Sequence, residues 1–122
     1  MSTRRTALLV TLLFLAAALV HGQSAARLYE QGKRALEQED FFTAIEFFTS
    51  SLDLNNSYVD PLVGLAEAYF ALAEYNEALK HIERARVLDR FDTELAIIEG
   101  RIRLGLGEFG EAEAIFENVL EE

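Results

Sequence analysis

A period of 34 residues constrains this chain more than any other feature. Residues 59–92, VDPLVGLAEAYFALAEYNEALKHIERARVLDRFD, overlay residues 25–58 when shifted back by one period and residues 93–122 when shifted forward, with no insertion. The markers recur together: Gly32, Ala66 and Gly100; Phe41, Tyr75 and Phe109; Ala44, Ala78 and Ala112; Phe48, Ile82 and Phe116; Leu52, Arg86 and Leu120. A repeat of this length with small residues at two fixed places builds helix-turn-helix solenoids, in which each helix pair buries its apolar face only against its neighbours. The expectation is an all-α chain of three stacked helix pairs.

Local signals place six helices on that frame. Leu28, Gln31, Gly32, Ala35 and Leu36 follow a three-to-four spacing, and Gly32 admits the close approach of a second helix. Glu39 and Asp40 interrupt the pattern. Ala44, Ile45, Phe48, Ser51 and Leu52 then form the buried stripe of the next helix. Asn55-Asn56-Ser57 ends it, with asparagine accommodating a left-handed backbone. That triplet is also a glycosylation sequon at Asn55, relevant only in a eukaryotic secretory pathway. Asp60-Pro61 starts the third helix, with Asp60 as cap, and Asp92-Thr93-Glu94 starts the fifth. Gly105-Leu106-Gly107-Glu108-Phe109-Gly110 matches the dinucleotide fingerprint G-x-G-x-x-G, but that motif needs a strand before it and here follows a helix. It reads as a helix-helix turn in which Gly107 ends one helix.

Residues 1–22 stand outside the repeats. Arg4 and Arg5 precede a run of 14 residues, Ala7 to Val20, apolar but for Thr11, and short side chains lead to Gln23. This pattern reads as a secretory signal peptide cut after Gly22. The run is shorter than the roughly 20 residues of a membrane-spanning helix, and an uncleaved anchor held in the inner membrane is the alternative. Export to the periplasm or the exterior follows as the expectation. Loss of the two leader arginines leaves nine basic residues against 21 acidic ones, a net charge of about −12. Such a surface repels phosphate backbones and anionic headgroups, which disfavours nucleic-acid and membrane-surface binding and favours basic or apolar partners.

The sequence supplies no catalytic set. Cysteine is absent, so disulfides, thiolate metal sites and thiol nucleophiles are excluded. His81 is the only histidine after the leader, is flanked by Lys80 and Glu83, and is expected on a helix surface with no catalytic role. No metal site, cofactor site or enzymatic activity is expected.

The repeats resemble those of the tetratricopeptide repeat family. Its pattern of an apolar residue, Leu-Gly, an aromatic and later Ala-x-x-x-Phe is matched by Leu28 and Gly32, by Leu62, Leu65, Ala66 and Tyr69, and by Ala44 with Phe48, Ala78 with Ile82 and Ala112 with Phe116. Ala35 and Arg103 depart from it where an aromatic is usual, Ala96 where a bulky residue is usual, and Asn56 and Arg90 replace closing prolines. The third repeat is thus the most eroded. The resemblance implies a right-handed solenoid of repeats 25–58, 59–92 and 93–122, the last without a capping helix. It also implies that the first helix of each pair lines a concave groove for an extended peptide or a partner helix. The residues at those places are Tyr29, Lys33 and Leu36, then Val63, Glu67 and Phe70, then Ile97, Arg101 and Leu104. Phe70 is either a binding anchor or packs down against Leu36 or Leu104. The clamp that some family members use for the acidic C-termini of chaperones is not matched, since its places hold Tyr29, Lys33, Gly64, Glu94 and Ile98. The resulting expectation is an exported module that binds a protein or peptide partner. The alternative is a structural solenoid that assembles with itself through its last helix, or the start of a longer array.

Overall fold

The computed structural model describes residues 2–20 and 24–122, all of whose regular elements are helices: α1 Ser2–Val20, α2 Ala25–Glu37, α3 Phe41–Leu54, α4 Val59–Ala71, α5 Tyr75–Leu88, α6 Thr93–Leu106 and α7 Phe109–Glu121. Helices α2, α4 and α6 begin one 34-residue period apart, as do α3, α5 and α7. The expected leader forms α1, which is exposed over residues 3–13, while its expected cleavage point at Gly22 and Gln23 lies outside the described residues. No helix among the described residues is long and apolar enough to cross a membrane.

The turns inside the pairs are the same turn three times. Glu39, Ala73 and Gly107, each one period apart, adopt φ of 58°, 59° and 78°, the left-handed conformation that closes a helix. Only the third is a glycine. The amide of the following residue then donates to a carbonyl five residues back: Asp40 to Ala35, Glu74 to Tyr69 and Glu108 to Arg103. Gly107 ends α6 as expected, and the G-x-G-x-x-G run is a helix-helix turn.

The connections between pairs differ from expectation at two points. Asn55 ends α3 with an extended backbone, φ −146°, and its Oδ1 accepts from the Ser57 amide, so the helix stops through an Asx turn and not through a left-handed residue. Asp60 does not cap α4. The helix starts two residues earlier, Tyr58 occupies the cap with no side-chain hydrogen bond, and Asp60 lies in the first turn where its charge meets the helix dipole. Side-chain caps are supplied elsewhere by Ser24 to Arg27, Asp40 to Thr43, and Asp92 to Glu94 and Leu95.

The core is built from rings placed against small residues. Phe48 is 1% exposed, because a Cβ at Gly32 would meet its ring at 2.6 Å and a Cβ at Gly64 would meet it at 2.5 Å. One phenylalanine of α3 is therefore clasped by α2 of its own pair and α4 of the next. The second repeat fills the same two positions with an aliphatic residue and an alanine: Ile82 stands at the Phe48 position and Ala66 at the Gly32 position, both fully buried. The third returns to Gly100 and Phe116, with a Cβ at Gly100 2.5 Å from the ring. Side-chain volume is thus conserved within each pair, large with glycine and medium with alanine. Ala44, Ala78 and Ala112, all 0% exposed, hold the corresponding contact of each second helix, and Ser51 Oγ donates to the Ala25 carbonyl at 2.6 Å, tying the end of α3 to the start of α2.

The third repeat also carries charge into the interior. Glu99, at the position of buried Leu65, is 5% exposed and accepts from Arg103 Nε at 2.7 Å and from Arg86. Arg103 stands where Tyr69 does in the second repeat and also donates to Glu108 at 2.6 Å and Glu83 at 3.0 Å. These four ion pairs join α5, α6 and the turn before α7, and hydrogen bonds to both Glu99 oxygens satisfy a carboxylate that burial would otherwise penalise. The expected erosion of this repeat is a replacement of an apolar contact by an ionic one.

Candidate peptide-binding groove

The first helices of the three pairs line a shared groove. Tyr29, Lys33 and Leu36 of α2, Val63 and Glu67 of α4, and the start of α6 around Glu94 and Leu95 enclose a volume of about 270 Å³. Their common orientation follows from the repeat: residues one period apart on α2, α4 and α6 face the same way, as Tyr29 with Val63 and Lys33 with Glu67 do here. A second hollow of about 230 Å³ continues along α4 and α6 between Glu67, Phe70, Ile98, Arg101 and Ile102. Glu67 borders both.

Of the nine positions expected to line the groove, five border the first hollow and Phe70 and Arg101 join Glu67 at the second. Ile97 and Leu104 border neither; they share the helical face of Arg101 and are 39% and 45% exposed. Phe70 is half-buried. Its ring centroid lies 5.5 Å from that of Tyr75, and the Arg101 guanidinium sits 5.2 Å above it, so it packs against Tyr75 and carries a cation on its face.

The first hollow is acidic. Asp60, Glu67, Asp92 and Glu94 border it with Lys33 as the single basic side chain. The Glu67 carboxyl is held above its ordinary range by burial first and by the like charge of Glu94 second, against a smaller opposing pull from Arg101. The Tyr29 phenol is likewise raised, by burial and then by Asp60, and Tyr58 is raised by burial and Asp60. Tyr29 and Tyr58 meet edge-to-face with centroids 5.6 Å apart. Asp60 and Tyr58 were not among the expected groove residues. Asp60 and Glu94 stand one period apart and are both acidic, a repeated signal that could have found them, whereas Tyr58's counterparts are Ser24 and Asp92 and periodicity carries no signal for it.

His81 is less exposed than its neighbours implied. Its ring stacks on Tyr69, with centroids 5.6 Å apart and planes within 9°, and Glu77 lies 3.8 Å from its Nε2. Burial lowers its pKa below the ordinary histidine value, with Lys80 adding to the effect. Among the described residues no group of three His, Cys, Asp or Glu side chains is arranged to hold a metal ion.

Comparison with known proteins places these features in context. A family model described as tetratricopeptide repeat matches residues 35–102. Tetratricopeptide repeat protein 16 of Mus musculus is 33% identical over 95 residues, which are 72% of this chain and 12% of that protein's length. The chain therefore spans about an eighth of that relative. Among solved structures, the first TPR of Spaghetti (RPAP3) bound to HSP90 peptide SRMEEVD superposes with a TM-score of 0.77 at 29% identity, covering 81% of this chain and 79% of that one. MamA superposes with a TM-score of 0.78 at 22% identity, covering 85% of this chain and 57% of that one, a likeness of fold.

Proposed function

Since the matched region, residues 35–102, is more than half of its length, this chain belongs to the tetratricopeptide repeat family, and we propose that it is a protein-interaction module that takes a peptide or helix of a partner into the groove of α2, α4 and α6. The observation that carries this reading is the alignment of seven of the nine expected residues along two adjoining hollows. Hollows of about 270 and 230 Å³ lie below the roughly 300–1,000 Å³ of small-molecule pockets and suit successive side chains of a bound chain. A similar solved domain, the first TPR of Spaghetti, is bound to a peptide.

The test is the joint replacement Tyr29→Ala, Phe70→Ala and Arg101→Ala. A partner recovered with the native protein is expected to be lost with the triple variant while the helical content is kept. Retention of the partner would move the interaction to another face.

Export is part of the proposal and rests on the leader: two arginines, an apolar run and no repeat signal before residue 25. Mass analysis of the N-terminus of protein from its native source should give Gln23 as first residue. Recovery of Met1 in the membrane fraction would establish an anchored form. A second reading, self-association through α7, is favoured by one feature: Leu120 is 86% exposed beside half-buried Phe116 and Val119. Light scattering before and after Leu120→Lys decides it, since a dimer through this face should dissociate.

A further inference from the structure

We propose that the occupant of the groove is a cationic segment, with a lysine or arginine side chain seated among Tyr29, Asp60, Glu67 and Glu94. This rests on the interaction reading and adds the chemistry of the partner. Charge complementarity carries it. Four carboxylates border the first hollow against one lysine; Asp92 is the cap of α6, while Asp60 and Glu94 lie in the first turns of α4 and α6 with no side-chain hydrogen bond to a cap amide. Asp60, Glu67 and Glu94 have no ion pair among the described residues, Arg101 exerting only the smaller pull on Glu67 already noted, whereas Glu83, Glu99 and Glu108 pair with Arg86 and Arg103. The three carboxylates are accessible to a ligand, Glu94 acts on Glu67 as a like charge, and an entering cation relieves that repulsion.

Three further features fit a basic side chain better than a free ion. No trio of these carboxylates is arranged to chelate a metal. The Tyr29 ring forms a wall of the same hollow, an apolar surface for the stem of lysine or the plane of arginine. Arg101 already lies on Phe70, showing the same cation-on-ring arrangement one step along the groove. The sign is also the reverse of what an acidic peptide requires. The similar first TPR of Spaghetti is bound to SRMEEVD, which carries three carboxylate side chains. Here Glu67 and Glu94 face the groove.

Fluorescence anisotropy on the purified protein tests the proposal with two labelled octapeptides, one of lysine, leucine and serine and one with glutamate in place of every lysine. The lysine peptide is expected to bind at least tenfold tighter. Glu67→Gln with Glu94→Gln should weaken it at least tenfold, while Glu37→Gln with Glu113→Gln, which removes the same charge away from either hollow, should change it less than twofold. Circular dichroism confirms that both variants stay folded. Equal weakening by the two double variants would reduce the effect to net charge and overturn the site. Tighter binding of the glutamate peptide would overturn the sign while leaving the groove reading intact. Binding of neither peptide, with partner recovery still lost in the Tyr29, Phe70 and Arg101 triple variant, would overturn the cationic occupant alone. Binding of neither, with partner recovery unaffected by that variant, would overturn the groove as well.

Discussion

Phe48 and Phe116 occupy the same place in the first and third repeats and differ in what stands on their second face. Phe48 is clasped between Gly32 and Gly64, one from its own pair and one from the next, and is 1% exposed. Phe116 has Gly100 on one side and remains half-buried. An aromatic ring in a solenoid is completed by the following repeat, so identical residues contribute unequally along the stack. The difference is one of neighbours and not of chemistry.

The largest expected effect tests that inequality directly. Phe48→Ala should cost about 3–5 kcal/mol, the range for a fully enclosed ring, whereas Phe116→Ala should cost on the order of 1–2 kcal/mol because part of its surface is already in water. Urea denaturation of both variants makes the comparison, and equal losses would mean that Phe116 is covered in solution. Next in size, Gly64→Ala should lose about 1–3 kcal/mol by forcing a Cβ into a ring that Gly32 holds from behind. Gly100→Ala meets a ring free to shift away, and the gain of roughly 1 kcal/mol in helix propensity should leave it near neutral. A larger loss at Gly100 than at Gly64 would reverse the argument.

The interior charge of the third repeat gives a smaller contrast. Glu99→Leu alone should cost about 1–2 kcal/mol, since Arg86 and Arg103 lose their shared carboxylate. Adding Arg103→Tyr restores the Leu65 and Tyr69 arrangement of the second repeat and should recover that loss. A double variant no more stable than the single one would show that the ionic contact has no apolar equivalent here. The smallest effects concern the turns that deliver α3 and α7. Glu39→Gly should gain roughly 0.5–1 kcal/mol by removing a Cβ from a left-handed residue, and Gly107→Ala should lose about 1 kcal/mol for the converse reason. Thermal unfolding of the pair shows whether the two turns are equivalent.

Much of the frame was legible before any coordinate. The period located the helix pairs, the glycine-rich run was recognisable as a turn, and Asp92 was identifiable as a cap. The Asp60 and Asn55 readings failed for a shared reason: each assigned a cap from residue type alone, while the chain between α3 and α4 enters its helix two residues early and leaves the previous one extended. Within the groove, register sets Tyr29, Lys33, Leu36, Val63 and Glu67 beside one hollow, while α6 meets that hollow near Glu94 and Leu95, one turn before Ile97.

The sequence by itself determined the helices, their order and the turn between partners, because a strict repeat dictates backbone geometry through short-range sterics and hydrogen bonds that each 34-residue copy carries within itself. The tertiary structure alone decided that Phe70 would support Arg101, that Glu99 would be buried between two arginines, and that Asp60, Glu67 and Glu94 would converge on one hollow. Those outcomes depend on how one helix pair is set against the next, and the side chains that meet there lie many residues apart, in contacts that no local pattern encodes.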